Sequence, residues 1–271
     1  MSEITRLEKH AASVRRGVLS MLATAGSGHT AGSLGLVEVV TAMYGAVLKF
    51  NPKNPHDSRR DLFMLSNGHV APVLYATLAE FGLILKSELR TLRKLGTRLQ
   101  GHPERTKLAW LETTSGPLGE GIGQAAGMAL AIKRDGQALK RFVYVVTGDG
   151  ELDEGNAWES IMFAADQRLG NLIMIVDRNG IQLSGDTENV MPLENLSEKI
   201  ASFGWNVQEI NGNSFEDILN AVKIAHDITD RPTAIIAHTT AGKGVEEIEG
   251  DWHWHGKAPS KEQEAKWLKV L

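Results

Sequence analysis

There is no cysteine in this chain of 271 residues. Disulfides, zinc–thiolate sites and a cysteine nucleophile are therefore excluded. No run of five Lys or Arg occurs, and a net charge of −4 with a pI near 6.2 argues against a nucleic-acid surface. The scattered charges read as solvated helix faces. No apolar stretch reaches the roughly 18 residues that would suggest a membrane span. The start, Met1-Ser2-Glu3-Ile4-Thr5-Arg6, carries no apolar signal core. The expectation is a cytoplasmic protein that meets neither membrane nor nucleic acid. Familiar nucleotide and nucleophile motifs are missing too. No G-x-x-x-x-G-K-[ST] loop occurs, Gly119-Glu120-Gly121-Ile122-Gly123 has the wrong spacing for a dinucleotide fingerprint, and no G-x-S-x-G marks a serine nucleophile. Neither an internal repeat nor a low-complexity tract is evident.

What is present is a 42% hydrophobic content, enough for one large α/β domain over residues 1–271. Leu7, Ala11, Val14, Val18, Leu19 and Leu22 recur at helical spacing and predict a helix over about 6–25. A loop through Gly26-Ser27-Gly28-His29 leads to a second helix, about 34–48. Strands are expected at 61–65, 142–146, 172–176, 205–210 and 233–238. Helices are expected at about 71–81, 86–95, 120–135, 154–168, 214–229 and 260–270. Phe215, Ile218, Leu219, Val222 and Ile228 would form the core face of the 214–229 helix. The segment 96–114 looks irregular. Alternating strands and helices imply a mostly parallel sheet with helices on both faces.

Asp149 and Asn179 stand thirty residues apart, each just beyond an apolar run. The first run, Phe142–Val146, leads into Thr147-Gly148-Asp149-Gly150-Glu151-Leu152-Asp153-Glu154-Gly155; the second, Leu172–Val176, leads into Asp177-Arg178-Asn179. With a helix between them, this is a strand–helix–strand unit carrying two oxygen ligands at strand C-terminal ends. That edge of a parallel sheet is where ligands bind. A hard cation such as Mg²⁺ takes a few protein oxygens and completes its octahedron with phosphate and water. The adjoining glycines let backbone N–H groups approach an anion. G-D-G followed at this distance by Asn is the diphosphate-binding signature of thiamine diphosphate enzymes.

Four of the nine histidines sit beside glycine in expected loops: His29, His69, His102 and His255. Such imidazoles can hydrogen-bond phosphate, steady a developing alkoxide or shuttle a proton near neutrality. Together they would suit a phosphate-bearing carbonyl substrate. His10, His56, His226 and His238 read as surface or capping residues, and His253 stays ambiguous because Trp252-His253-Trp254-His255 alternates.

These residues resemble one family over nearly the whole chain: the N-terminal, diphosphate-binding half of transketolase. The likeness rests on Gly26-Ser27-Gly28-His29, Ser66-Asn67-Gly68-His69, Gly101-His102-Pro103-Glu104, Gly116-Pro117-Leu118-Gly119, Gly148 to Gly155, Asp177 to Gln182 and Trp254-His255-Gly256-Lys257. The resemblance implies a thiamine diphosphate-binding fold and a set of roles. Asp149, Asn179 and the carbonyl of Ile181 would bind Mg²⁺, with Ca²⁺ or Mn²⁺ as substitutes. Gly150, His69 and Asn179 would hold the diphosphate, helped by His255. Gly116 and the backbone of Leu118 would meet the aminopyrimidine. His29, His69, His102 and His255 would face the substrate, and the tail 239–271 would complete the site. Glu154 and Glu159 resemble acidic residues that link cofactor sites across a subunit interface. Thr30 departs from the proline of many relatives, and Asp153 from a common glutamine.

By the same resemblance, a glutamate from a pyrimidine-binding domain is needed to activate the cofactor, and no segment here resembles that domain. The expectation is therefore half an active site. A separate transketolase C-terminal subunit would carry the pyrimidine-binding and C-terminal domains, in an A₂B₂ heterotetramer acting on sugar phosphates. One alternative keeps the cofactor in a 1-deoxyxylulose-5-phosphate synthase-like or 2-oxoacid dehydrogenase-like subunit, against which the four histidines argue. Another is a non-catalytic binding subunit.

Overall fold

A computed structural model describes residues 2–138 and 140–271. The chain opens with α1, Glu3–Ala25, capped by the Ser2 hydroxyl accepting from the Thr5 amide at 3.1 Å. It ends where Gly26 turns left-handed at φ 68°. The expected single helix over 34–48 begins earlier and is broken. It comprises α2 (Ala31–Gly35), α3 (Val37–Ala42) and a π turn over Met43–Val47. Then come β1 (Leu62–Leu65), α4 (Ala71–Glu80), a 3₁₀ segment at Lys86–Thr91 and α5 (Glu120–Arg134). The strand–helix–strand unit is β2 (Val143–Gly148), α6 (Gly155–Asp166) and β3 (Leu172–Asp177).

A small antiparallel pair follows, β4 (Ile181–Gln182) with β5 (Gly185–Asp186), and then α7 (Thr187–Val190) and α8 (Leu196–Ser202). None of these four short elements shows enough periodicity to be anticipated. The chain finishes with β6 (Asn206–Asn211), α9 (Phe215–Asp227), β7 (Thr233–His238) and α10 (Lys261–Trp267). On α9 the buried face is Phe215, Ile218, Ala221, Val222 and Ala225. Leu219 is only partly buried, and Ile228 falls at the C-cap instead of on the face.

The five main strands form one parallel sheet in the order β1-β2-β3-β7-β6. Successive side chains of a strand point to opposite faces, and the core divides accordingly. Tyr144, Val146, Ile173, Ile175, Ile235 and Ala237 pack with α1, α3, α4 and α9. Val143, Val145, Leu172, Met174, Val176 and Ile236 pack with α5, α6 and α8. The central strands are buried on both faces, which is why they read as unbroken Val/Ile runs. The sheet is thus covered by helices on both sides, as expected. Because β1, β2, β3 and β7 run in parallel, their C-terminal ends meet at one edge. Among the described residues, no helix is long and apolar enough to cross a membrane.

Candidate active site

At that edge Asp149 follows β2 and Asn179 follows β3. The Asp149 carboxylate is 1% exposed and takes three donors. Its Oδ1 accepts from the Gly150 amide at 2.8 Å, and its Oδ2 from the Gly180 amide at 2.7 Å and Arg178 at 3.1 Å. Burial pushes this carboxyl upward in pKa, and those donors pull it part of the way back. The Asn179 side chain gives its N–H to Asp177 Oδ2 at 2.8 Å, while its oxygen accepts the Ile181 amide at 3.0 Å. That oxygen keeps a second lone pair. Asp177 also accepts from the Thr239 hydroxyl, beyond β7. Burial first, and the charge of Asp149 as well, raise Asp177 to about 7.

The short 3₁₀ turn Gly150–Asp153 folds Glu151 back under the loop. This buried carboxylate accepts from Gly119 N at 2.7 Å, Thr147 Oγ1 at 2.8 Å, Gly148 N at 3.1 Å and the Ser66 hydroxyl. It thereby joins the ends of β1 and β2 to the N-terminus of α5. Gly121 on that helix lies so close to β1 that a Cβ there would sit 2.7 Å from the Ser66 Cα. Only glycine allows the approach.

The four glycine-flanked histidines converge. Ring centroids lie 5.0 Å apart for His29–His69, 5.6 Å for His29–His255, 5.0 Å for His69–His255 and 6.3 Å for His29–His102. His255 reaches the group because residues 239–257 cross the N-terminal loop. Gly242 N donates to Ala31 O at 2.8 Å, Thr30 Oγ1 to Lys257 O at 2.5 Å, and Trp254 packs edge-on against Trp267 of α10. Burial dominates the electrostatics. It lowers His29 to about 4, with smaller contributions from His255, Arg93 and His102. It also lowers His69, His102 and His255. All four rings are therefore neutral near pH 7, each with one N–H to donate and one lone pair to accept.

Histidines and loop residues line one cavity of about 290 Å³. Its wall includes His29, His69, His102 and His255, together with Gly116, Leu118, Asp149, Gly150, Asn179 and Ile181. Glu154 is not in it. Glu154 and Glu159 are exposed at the start of α6, where residues linking cofactor sites across a subunit interface would stand. The glutamate that does line the cavity is Glu151, beside Asp149 and Asp177. Three lining residues hold buried polar atoms without a partner among the described residues: His29 Nδ1, His255 Nδ1 and Gln182 Oε1. Buried polar groups are ordinarily satisfied, so the wall is built to meet a polar ligand. With a carboxylate, an amide oxygen and close-approach glycines on one side, the donor set fits a divalent ion with a diphosphate.

Comparison with known proteins bears on the cofactor. Residues 7–270 match the family model described as transketolase, thiamine diphosphate binding domain. The chain belongs to the transketolase family. It is 37% identical over 261 residues to an apulose-4-phosphate transketolase subunit of Phocaeicola vulgatus, covering 96% of this chain and 92% of that one. It is 40% identical over 244 residues to the 6-deoxy-6-sulfo-D-fructose transketolase subunit SqwG of a Clostridium species, covering 90% and 88%. A solved transketolase of Pichia stipitis in complex with fructose 6-phosphate superposes with a TM-score of 0.92 at 34% identity, and one from Campylobacter jejuni with 0.90 at 36%. Those matches cover 100% and 99% of this chain but only 40% and 43% of the solved ones. The chain spans about two-fifths of those transketolases.

Sequence reasoning missed several residues of this transketolase site. Glu151 and Asp177 each lie two positions from a motif residue, and their strand-end placement was the available signal. Gln182, inside its motif without a role, lines the cavity with Leu183 and Ser184 of the β4–β5 turn, which have no sequence signature. Arg178 was visible inside its motif without a role.

Proposed function

We propose that this chain is the diphosphate-side subunit of a two-polypeptide transketolase, moving a two-carbon ketol unit from a ketose phosphate to an aldose phosphate. The convergence of four neutral histidines beside the Asp149–Asn179 edge carries this reading. Thiamine diphosphate, when bound, supplies a thiazolium that stabilises a carbanion. Asp149, Asn179 and the Ile181 carbonyl would hold the divalent ion, Mg²⁺ by preference. His69, Gly150, Asn179 and His255 would hold the diphosphate, and Gly116 and Leu118 the edge of the aminopyrimidine. The imidazoles of His29, His69, His102 and His255 would donate to the sugar carbonyl and donate to or accept from its hydroxyl groups. Being neutral, each can take a proton from one hydroxyl, becoming a transient imidazolium, and return that proton to another oxygen.

The aminopyrimidine side would come from a separate polypeptide with the pyrimidine-binding and C-terminal domains, in an A₂B₂ heterotetramer. Two relatives of matching length, both described as transketolase subunits, support the separate polypeptide. The exposed Glu154 and Glu159 on α6 would then face the partner. As a consumer of sugar phosphates the assembly works in the cytoplasm. Reconstitution tests the proposal. The chain, its partner, thiamine diphosphate and Mg²⁺ together should transfer ketol units, and the chain alone should not. Activity without a partner, or consumption of pyruvate as donor by the assembled pair, would sink it. Asp149→Ala should abolish Mg²⁺-dependent cofactor retention, read by calorimetry.

A further inference from the structure

Arg178 lies between two motif residues and has no part in the chemistry above. Its side chain is 8% exposed. Its backbone N–H is pinned to Ala237 O at 2.9 Å. One guanidinium nitrogen reaches Asp149 Oδ2 at 3.1 Å. The other reaches Glu194 at 2.8 Å and also Glu188. A guanidinium stays charged and has no lone pair, so it neither relays protons nor binds metal. Its use here is geometric. Oδ2 of Asp149 already accepts from Gly180 N and Arg178, which fills both lone pairs, whereas Oδ1 accepts only from Gly150 N.

We propose that Arg178 is a positioning residue that restricts Asp149 to one-oxygen coordination of the divalent ion. Oδ1 is offered and Oδ2 is withheld. Glu188 and Glu194 hold the guanidinium in place from the far side and offset its charge, which would otherwise repel the ion. The inference rests on the cofactor proposal, and it adds a selectivity. Mg²⁺ demands a near-ideal octahedron of single oxygens, while Ca²⁺ accepts two-oxygen carboxylate binding in looser shells. An Asp149 freed from Arg178 could chelate through both oxygens, which favours Ca²⁺.

The test is calorimetric titration of the chain assembled with its partner subunit, using Mg²⁺ or Ca²⁺ in the presence of thiamine diphosphate. Wild type is compared with Arg178→Met, Arg178→Lys and Glu194→Gln. Removing an outer contact to a ligand commonly costs about 10–100-fold in metal affinity. Arg178→Met should lose that much for Mg²⁺ and clearly less for Ca²⁺, so the Mg²⁺/Ca²⁺ affinity ratio falls. Glu194→Gln, which keeps the Asp149 contact, should hold the wild-type ratio. Lysine offers a point charge instead of a fork and should give an intermediate ratio, which carries the test should Arg178→Met not fold. Equal losses for both ions, or a wild-type ratio in the Met or Lys variant, would overturn the proposal. Failure of the wild type to bind either ion would instead overturn the cofactor assignment on which it stands.

Discussion

Acid should weaken this fold through its histidines, and His29 sets the scale. In the unfolded chain the imidazole protonates near 6.5, and in the fold only near 4. Below 6.5 the unfolded state therefore binds a proton that the native state refuses. The stability is fully present above pH 6.5, is lost progressively as pH falls from 6.5 to 4, and changes no further below that. At about 1.4 kcal/mol for each tenfold change in proton affinity, the difference is worth at most about 3 kcal/mol. Partial solvent screening of the ring trims it to about 2–3 kcal/mol. That is a large fraction of the roughly 5–15 kcal/mol typical of a domain. The measurement is urea denaturation followed by circular dichroism between about pH 7 and pH 4, on wild type and His29→Gln. Glutamine does not titrate. Wild type should lose about 2–3 kcal/mol more than the variant across that interval. Parallel stability curves would show that His29 takes up its proton in the fold as easily as outside it, and the burial argument would fail.

His255→Ala should lower turnover of the reconstituted enzyme by about 100-fold with the circular dichroism spectrum unchanged; wild-type kinetics would remove His255 from the chemistry. Gly121→Ala drives a methyl into the Ser66 backbone and should cost about 1–3 kcal/mol, read as a drop in melting temperature; an unchanged melting point would mean that α5 can step away from β1. Glu151→Gln replaces one acceptor oxygen with an N–H among four donors and should destabilise by about 1–3 kcal/mol. If that variant melted like wild type, Glu151 would not be the tie between α5 and the strand ends.

The sheet was legible because its central strands are apolar on both faces. The run Leu172–Val176 admits no amphipathic helix and lies between Asn171 and Asp177. The long helices were legible for the complementary reason, a one-sided apolar stripe, as in Leu7, Ala11, Val14 and Val18. The break at Leu36 and the π turn at Met43–Val47 were not, because residues 31–42 are buried all round and give no face to track. At the site, the four histidines and the Asp149–Asn179 edge could be found by spacing, since they fall at glycine-flanked strand or loop ends. Glu151 could not. Its role depends on a 3₁₀ turn that points it inward, whereas Glu154, three residues on, carries the same side chain at the surface. Asp177 was hidden for a similar reason: its importance lies in a contact with Thr239, sixty-two residues away.

The crossing of residues 239–257 over the first loop has a consequence for biogenesis. Arg15 donates to the Lys243 carbonyl across 228 positions, and Thr30 to that of Lys257 across 227. A chain emerging from the ribosome can assemble the sheet through β3 while this seam still has no second side. Contacts of such span are slow to close. The pocket that gathers the imidazoles is thus the last part to mature, and a nascent chain released before residue 255 would fold most of its scaffold yet lack one wall of its binding cleft.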